Sequence, residues 1–205
     1  MKKLSLLFLL LCIILASCTK TGKSSNSDTS QLIPLLAGNE WDYVTEFYDT
    51  LGNLYSTENW PNGPVNDTII NDTIWYTQLP YDSIAIMSTA NEIYSYNLVD
   101  SVPDGVYLKR TEKDSEIIYH SISSVRYEKL VSFNKVYNKN GYDDVIKNVD
   151  SGFYNGSLYN YTEYYIKPGL GIVETDYYWP NFHHADNTVS FYLGSKQILK
   201  SYILH

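Results

Sequence analysis

From Leu32 onward the chain is made of short runs of Tyr, Ile, Val and Thr, each closed within a few residues by Asn, Asp, Gly or Pro. That rhythm limits the fold more than any other feature. β-Branched and aromatic residues suit a pleated, half-buried surface, and breakers at such close spacing leave little room for helices. Trp41, Tyr43, Thr45 and Phe47 alternate with Asp42, Val44 and Glu46, a period of two that sends each set to its own face of a strand. Asp49-Thr50-Leu51-Gly52-Asn53 then supplies a turn before Leu54-Tyr55, which predicts a hairpin. Further strands are predicted over 73–79, 83–87, 92–98, 105–111, 117–122, 128–137, 158–167, 171–178, 189–193 and 197–204, with Asn138-Lys139-Asn140-Gly141 and Asn155-Gly156 as turns. No dozen residues carry a helical apolar stripe, and a parallel sheet would need crossover helices. The expected fold class is therefore all-β: an antiparallel sheet curled into an open barrel or a sandwich, with little helix outside the first residues.

Those first residues have a different character. Lys2 and Lys3 precede an apolar run from Leu4 to Leu15, and Ala16-Ser17 are small, the three parts of a cleavable export signal. About a dozen residues make roughly 18 Å of helix, short of a bilayer core of about 30 Å, so the run does not read as a membrane span. Leu15-Ala16-Ser17-Cys18 resembles the lipobox of bacterial lipoproteins. The resemblance implies cleavage after Ser17, a diacylglycerol on the Cys18 thiol and an acylated amino terminus. It makes residues 1–17 a signal peptide and gives the chain a membrane partner through its lipid. The other cysteine, Cys12, lies in the segment that would be removed. The remaining chain then has no thiol left for a disulfide, and its stability must come from the core.

Residues 18–31 read as a lipidated start followed by a flexible tether, since Thr19 to Ser30 are small and polar. Residues 32–205 read as one β-rich domain, with no tandem repeat. Loss of Lys2 and Lys3 takes the net charge from −8 to −10. So acidic a surface repels phosphate backbones, and nucleic acid is not an expected partner.

Two stretches, Ile33-Pro34-Leu35 through Gly38-Asn39-Glu40-Trp41-Asp42-Tyr43 and Tyr165-Ile166-Lys167-Pro168-Gly169-Leu170-Gly171-Ile172-Val173, are similar to the opening and late segments of a diffuse group of small Bacteroidota lipoproteins. The final Ser201-Tyr202-Ile203-Leu204 fits the same pattern. The resemblance implies a fold and an envelope location, and carries no chemistry. Surface-displayed members of that phylum tend to have acids directly after the lipidated cysteine. Here Thr19-Lys20-Thr21-Gly22-Lys23 is basic, which favours an outer-membrane position facing the periplasm. Gly169-Leu170-Gly171 lacks the third glycine, lysine and helix of a phosphate cradle and reads as a turn.

Five triplets join Asp, a hydroxyl residue and an aliphatic residue, with the hydroxyls at Thr50, Thr68, Thr73, Ser83 and Ser101. Composition alone gives roughly one. The pattern is similar to the O-glycosylation acceptor of the same phylum, and that similarity implies glycans at one or more of these positions. Turn chemistry also produces such triplets, because Asp caps a turn and a β-branched residue opens a strand. The Asn-x-Ser/Thr sequons beginning at Asn66, Asn71, Asn155 and Asn160 read as by-products of an Asn- and Thr-rich chain.

His183-His184 with Asp186 is the one grouping with metal-ligand character, but adjacent strand residues point apart and no second ligand pair exists. A solvated loop is the expectation, with no metal and no cofactor. There is no Gly-x-Ser-x-Gly elbow and no remaining cysteine for nucleophilic catalysis. Carboxylate pairs of the glycosidase kind are spatial and stay open. For binding, Trp75-Tyr76 and Tyr178-Trp179 place neighbouring rings on opposite faces of a strand, one for the core and one for stacking on a sugar or an apolar partner. A tyrosine-rich core with cross-strand ladders would use the same residues. The expected function is a non-catalytic, lipid-anchored binding or assembly component of the cell envelope whose partner is an envelope protein, a glycan or an apolar ligand. The alternatives are a half-barrel carrier of an apolar ligand and a hydrolase.

Overall fold

A computed structural model describes residues 23–24, 31–63, 65–78, 81–113, 115–121, 126–183 and 188–205. Residues 1–17, read as a signal, with Cys18, His184 and Asp186, lie outside the described residues. Among them every regular element is a strand: β1 (Lys23–Ser24), β2 (Glu40–Tyr48), β3 (Leu54–Asn62), β4 (Val65–Ile70), β5 (Thr73–Gln78), β6 (Tyr81–Ser88), β7 (Glu92–Asn97), β8 (Val102–Lys109), β9 (Glu116–Ser121), β10 (Arg126–Lys139), β11 (Tyr142–Tyr154), β12 (Ser157–Lys167), β13 (Gly171–His183) and β14 (Thr188–Leu204). The all-β expectation holds.

Two antiparallel sheets contain them. The larger runs β3-β2-β14-β13-β12-β11-β10-β9, with β1 added in parallel at the end of β14; the smaller runs β4-β5-β6-β7-β8. In the larger sheet, chain neighbours are sheet neighbours from β9 to β14, and β14 then pairs with β2. This is the cyclic order of an eight-stranded meander barrel left open between β3 and β9. The chain between those two edges folds into the smaller sheet. Lys23–Ser24, in the segment read as tether, pairs with Ile203–Leu204.

The expected hairpin forms between β2 and β3. Asp49 Oδ1 accepts hydrogen bonds from the Leu51 and Asn53 amides at 2.9 and 2.8 Å, an aspartate closing a turn as its short side chain favours. Besides β1, two strands were not legible. Val65–Ile70 opens only three residues after β3 ends at Asn62, and Tyr142–Tyr154 carries adjacent polar residues, Asp143-Asp144 and Lys147-Asn148, that break a period of two. The predicted strands over 189–193 and 197–204 are one 17-residue strand, in which Gly194 is the extra residue of a bulge opposite Tyr177 and Tyr178.

One core joins the sheets. Leu32, Ile33 and Leu35 from the leading segment meet Trp41, Tyr43, Ile166, Val173 and Leu199 of the large sheet and Val65, Ile93 and Leu108 of the small one. Burying each Leu or Ile fully stabilises by about 1.5–3 kcal/mol. The polar groups trapped there are paired. Trp41 Nε1 donates to Leu170 O at 2.8 Å, and Gly171 passes close enough that a Cβ would sit 3.4 Å from that indole nitrogen. Fully buried Asn148 accepts from the Lys109 amide at 2.7 Å and donates to the Lys109 carbonyl at 2.8 Å. It acts as a strand residue turned sideways, tying β8 of the small sheet to β11 of the large one.

Candidate functional site

Residues directly opposite each other across antiparallel strands share a face, so the register sorts the long strands into two surfaces. Tyr43, Thr45, Leu199, Thr175, Tyr164 and Asn148 belong to the face covered by the small sheet. The other carries Glu46, Lys196, Asp176, Glu174, Glu163, Tyr165 and Lys147. That second face curls onto itself. β10 lies four strands from β14, roughly 19 Å in a flat sheet at about 4.8 Å per strand. Yet Asn140, in the turn after β10, donates from Nδ2 to both Val173 O and Leu199 O at 3.3 Å. The β10–β11 tip is folded over the face, with the Tyr137 ring edge-on to Tyr165 and the Lys139 ammonium 4.0 Å from the Tyr165 ring centre.

Under that fold sits a quartet of charges. Glu174 and Asp176 are 5% and 4% exposed. Lys139 Nζ lies 2.9 Å from Glu174 and 3.5 Å from Asp176, and Lys196 Nζ lies 3.3 and 3.8 Å from the same two. Glu174 Oε1 and Asp176 Oδ1 receive no aligned hydrogen bond, so the contact is mainly coulombic. Burial, and then the Glu174 charge, push the Asp176 carboxyl up to about 6. Lys147 and Tyr165 both reach Glu163, at 2.6 and 2.8 Å. The hydrolase alternative needs convergent carboxylates open to a substrate; these are closed in and neutralised by lysines. The carrier alternative needs a dry aliphatic interior, and this concave face is charged instead.

Toward the far end of the same strands the character changes. Residues 151–162, 177–182 and 189–195 include no Asp, Glu, Lys or Arg and are rich in Tyr, Ser, Asn and Gly. On the face continuing from the quartet, Tyr161 stacks on Tyr178 at 4.3 Å and meets Phe191 at 5.5 Å, while Tyr127 stacks on Phe153 at 4.7 Å. On the opposite face Trp179, 55% exposed, faces Tyr192 across the ladder. Its ring lies on the Gly194 bulge, where any Cβ would come within 2.1 Å of the indole Cδ1. Tyr159 covers the bulge at Gly152 in the same way, at 2.7 Å, and its hydroxyl accepts from Arg126 at 2.9 Å. Phe182, 63% exposed, points to the Tyr178 side of the same strand end.

The four aromatic candidates are thus divided. Tyr76 packs against the core; Trp75 lies on the outer face of the small sheet, 5.5 Å from Tyr96, in a different sheet from β13. Tyr178 belongs to a half-buried ladder, and Trp179 alone of the four is mostly exposed. Thr50, Thr73 and Ser101 are exposed at turns or strand starts, Thr68 is half-buried in β4, and Ser83 lies in β6. His183 ends β13, and no group of metal-binding side chains occurs among the described residues. Sequence reasoning missed Gly152 and Gly194, whose role depends on the ring across the ladder, and Asp150, which burial and then Glu128 push up to about 6.

No protein-family model matches the chain, and no curated protein matches it. Among solved structures, a "putative lipoprotein" from Parabacteroides distasonis ATCC 8503 aligns over 84% of this chain and 98% of its own, with 14% identity and a TM-score of 0.37. A "putative exported protein with YmcC-like fold" from Bacteroides fragilis NCTC 9343 aligns over 83% and 97%, with 9% identity and a TM-score of 0.36. TM-scores this low leave neither fold detail nor function to transfer.

Proposed function

We propose that the chain is a lipid-anchored protein of the bacterial cell envelope whose β-domain binds a partner without transforming it. The address rests on Leu15-Ala16-Ser17-Cys18 behind a basic and apolar leader, and the basic residues after Cys18 favour an outer-membrane position facing the periplasm. The binding reading rests on one observation: large rings stand exposed at the uncharged end of the long strands, while Glu174 and Asp176 are buried against lysines. Exposed aromatic surface of that kind marks an interaction site. Two measurements test this reading. Cys18→Ala should abolish processing or move the protein from membranes to the soluble fraction; a processed, still membrane-bound variant overturns the anchor. A photo-crosslinking residue at Phe182 should give one reproducible adduct in the native envelope, and a control at exposed Leu51 should not. Equal labelling at both sites overturns the assignment of this surface.

Glycosylation is proposed at Thr50, Thr73 and Ser101, the triplet hydroxyls in exposed positions. Intact-mass and peptide analysis of the native protein with all three unmodified removes it.

A further inference from the structure

The partner's chemistry follows from what this surface lacks and how its rings are laid, granted that the surface is a binding site. The chain has a net charge of −8, and 19% of its residues are charged. Residues 151–162, 177–182 and 189–195 nevertheless contain no charged residue. Charges stand at its border on β10, where Arg126 is engaged by the Tyr159 hydroxyl and ring and Glu128 pairs opposite Gly152; the patch itself offers an anionic partner no Lys or Arg and a cationic one no Asp or Glu. A greasy partner would be met by aliphatic side chains, whereas the Trp179 face carries Asn160, Asn181, Ser190 and Tyr192, and the exposed Val189 pairs with Phe182 on the other face.

The geometry of Trp179 adds a second constraint. Its indole lies on Gly194, so one ring face is against the sheet and the side chain is still 55% exposed. Trp179 shares its face with Tyr192, its ladder partner, and Tyr159 lies likewise on Gly152 one strand away. A flat ring edged by amides and hydroxyls matches the two halves of a sugar, the C–H face that stacks and the hydroxyl rim that hydrogen-bonds. Position agrees as well. Gln31, where the chain arrives from the lipidated end, accepts from the Gly169 amide at 3.0 Å. β13 starts two residues on, at Gly171, and Trp179 and Phe182 lie 8 and 11 residues along it, roughly 25–35 Å from that start at about 3.3 Å per residue.

We infer that the uncharged end of β11–β14 is a binding site for a neutral polysaccharide, with Trp179 as its stacking platform and Asn160, Asn181 and Tyr192 as hydroxyl partners, held away from the anchored membrane. Native affinity electrophoresis of the detergent-extracted full chain, in gels containing mannan, galactomannan, laminarin or alginate, tests it. At least one neutral glycan should retard the protein, and Trp179→Ala should weaken that retardation tenfold or more with no change in melting temperature. Trp75→Ala, the half-buried indole of the other sheet, should change it less than twofold. Gly194→Ala, which displaces the indole but keeps it, should weaken retention as well. Retardation by alginate alone, by none of the four, or unaltered by Trp179→Ala overturns the inference. A specific Phe182 adduct to protein together with no glycan retention removes the glycan and leaves the binding reading standing. Glycan that is retained but shortened, with shortening lost in Asp150→Asn, keeps the ligand class and overturns the non-catalytic reading.

Discussion

The two halves of β12, β13 and β14 invert the usual distribution of side chains. Near the β10–β11 tip the strands carry Glu163, Glu174, Asp176 and Lys196, and Glu174 and Asp176 are buried there with the other two half-buried around them. Toward His183 they carry Tyr, Trp, Phe and Asn, and that half holds the exposed Trp179 and Phe182. Charges are normally solvated and rings normally covered. The inversion shows that curling of the sheet, not residue polarity, decided what was enclosed. A charged half enclosed at a cost is held by pairing. An aromatic half left open owes its composition to something other than the core.

The comparison can be broken most severely at Glu174. Glu174→Ala leaves Lys139 and Lys196 sharing Asp176 alone, and loss of one partner from a buried ion group costs about 3–5 kcal/mol. Urea unfolding should show it, and a loss below about 1 kcal/mol would mean the quartet is solvated. Next comes the tie between the sheets. Asn148→Ala orphans the amide and carbonyl of Lys109 and should cost about 2–3 kcal/mol, with faster hydrogen exchange at the Lys109 amide. The pH response is smaller and has a definite sign. Asp176 holds its proton up to about 6 in the folded chain against 3.8 unfolded. The folded state therefore binds that proton more tightly, and this contribution is fully present below 3.8 and lost as pH rises through about 6. Asp176→Asn should flatten the stability profile between those values; an unchanged slope would place the titration elsewhere. The smallest effect belongs to the exposed half: Phe182→Ser should alter unfolding free energy by less than about 0.5 kcal/mol. A larger loss would make that ring part of the core.

How much could be read beforehand varied with the source of the signal. β2 was legible because Trp41, Tyr43, Thr45 and Phe47 alternate with Asp42, Val44 and Glu46 and one face really is buried. β11 was not, because Asp143, Asp144, Lys147, Asn148 and Asp150 resemble a loop. Its polar residues are tolerated because Lys147 meets Glu163 and Asn148 meets Lys109, partners that lie 16 and 39 positions away. β14 read as two strands since Gly194 resembles a break; it is a bulge with Trp179 lying over it. The pairs Trp75-Tyr76 and Tyr178-Trp179 were legible as rings on opposite faces, because a strand's period guarantees that much.

The sequence by itself determined those strands whose residues alternate and end at turn residues, β2 foremost, and it holds the proposed export-and-anchor motif ending at Cys18 in contiguous residues that need no fold. Only the tertiary structure decided that Tyr76 would be core and Trp179 exposed. It also decided that four charges would meet under the β10–β11 tip and that a bulge glycine would seat an indole. Those outcomes depend on register and on sheet curvature, which bring together residues tens of positions apart. No local pattern records such distances.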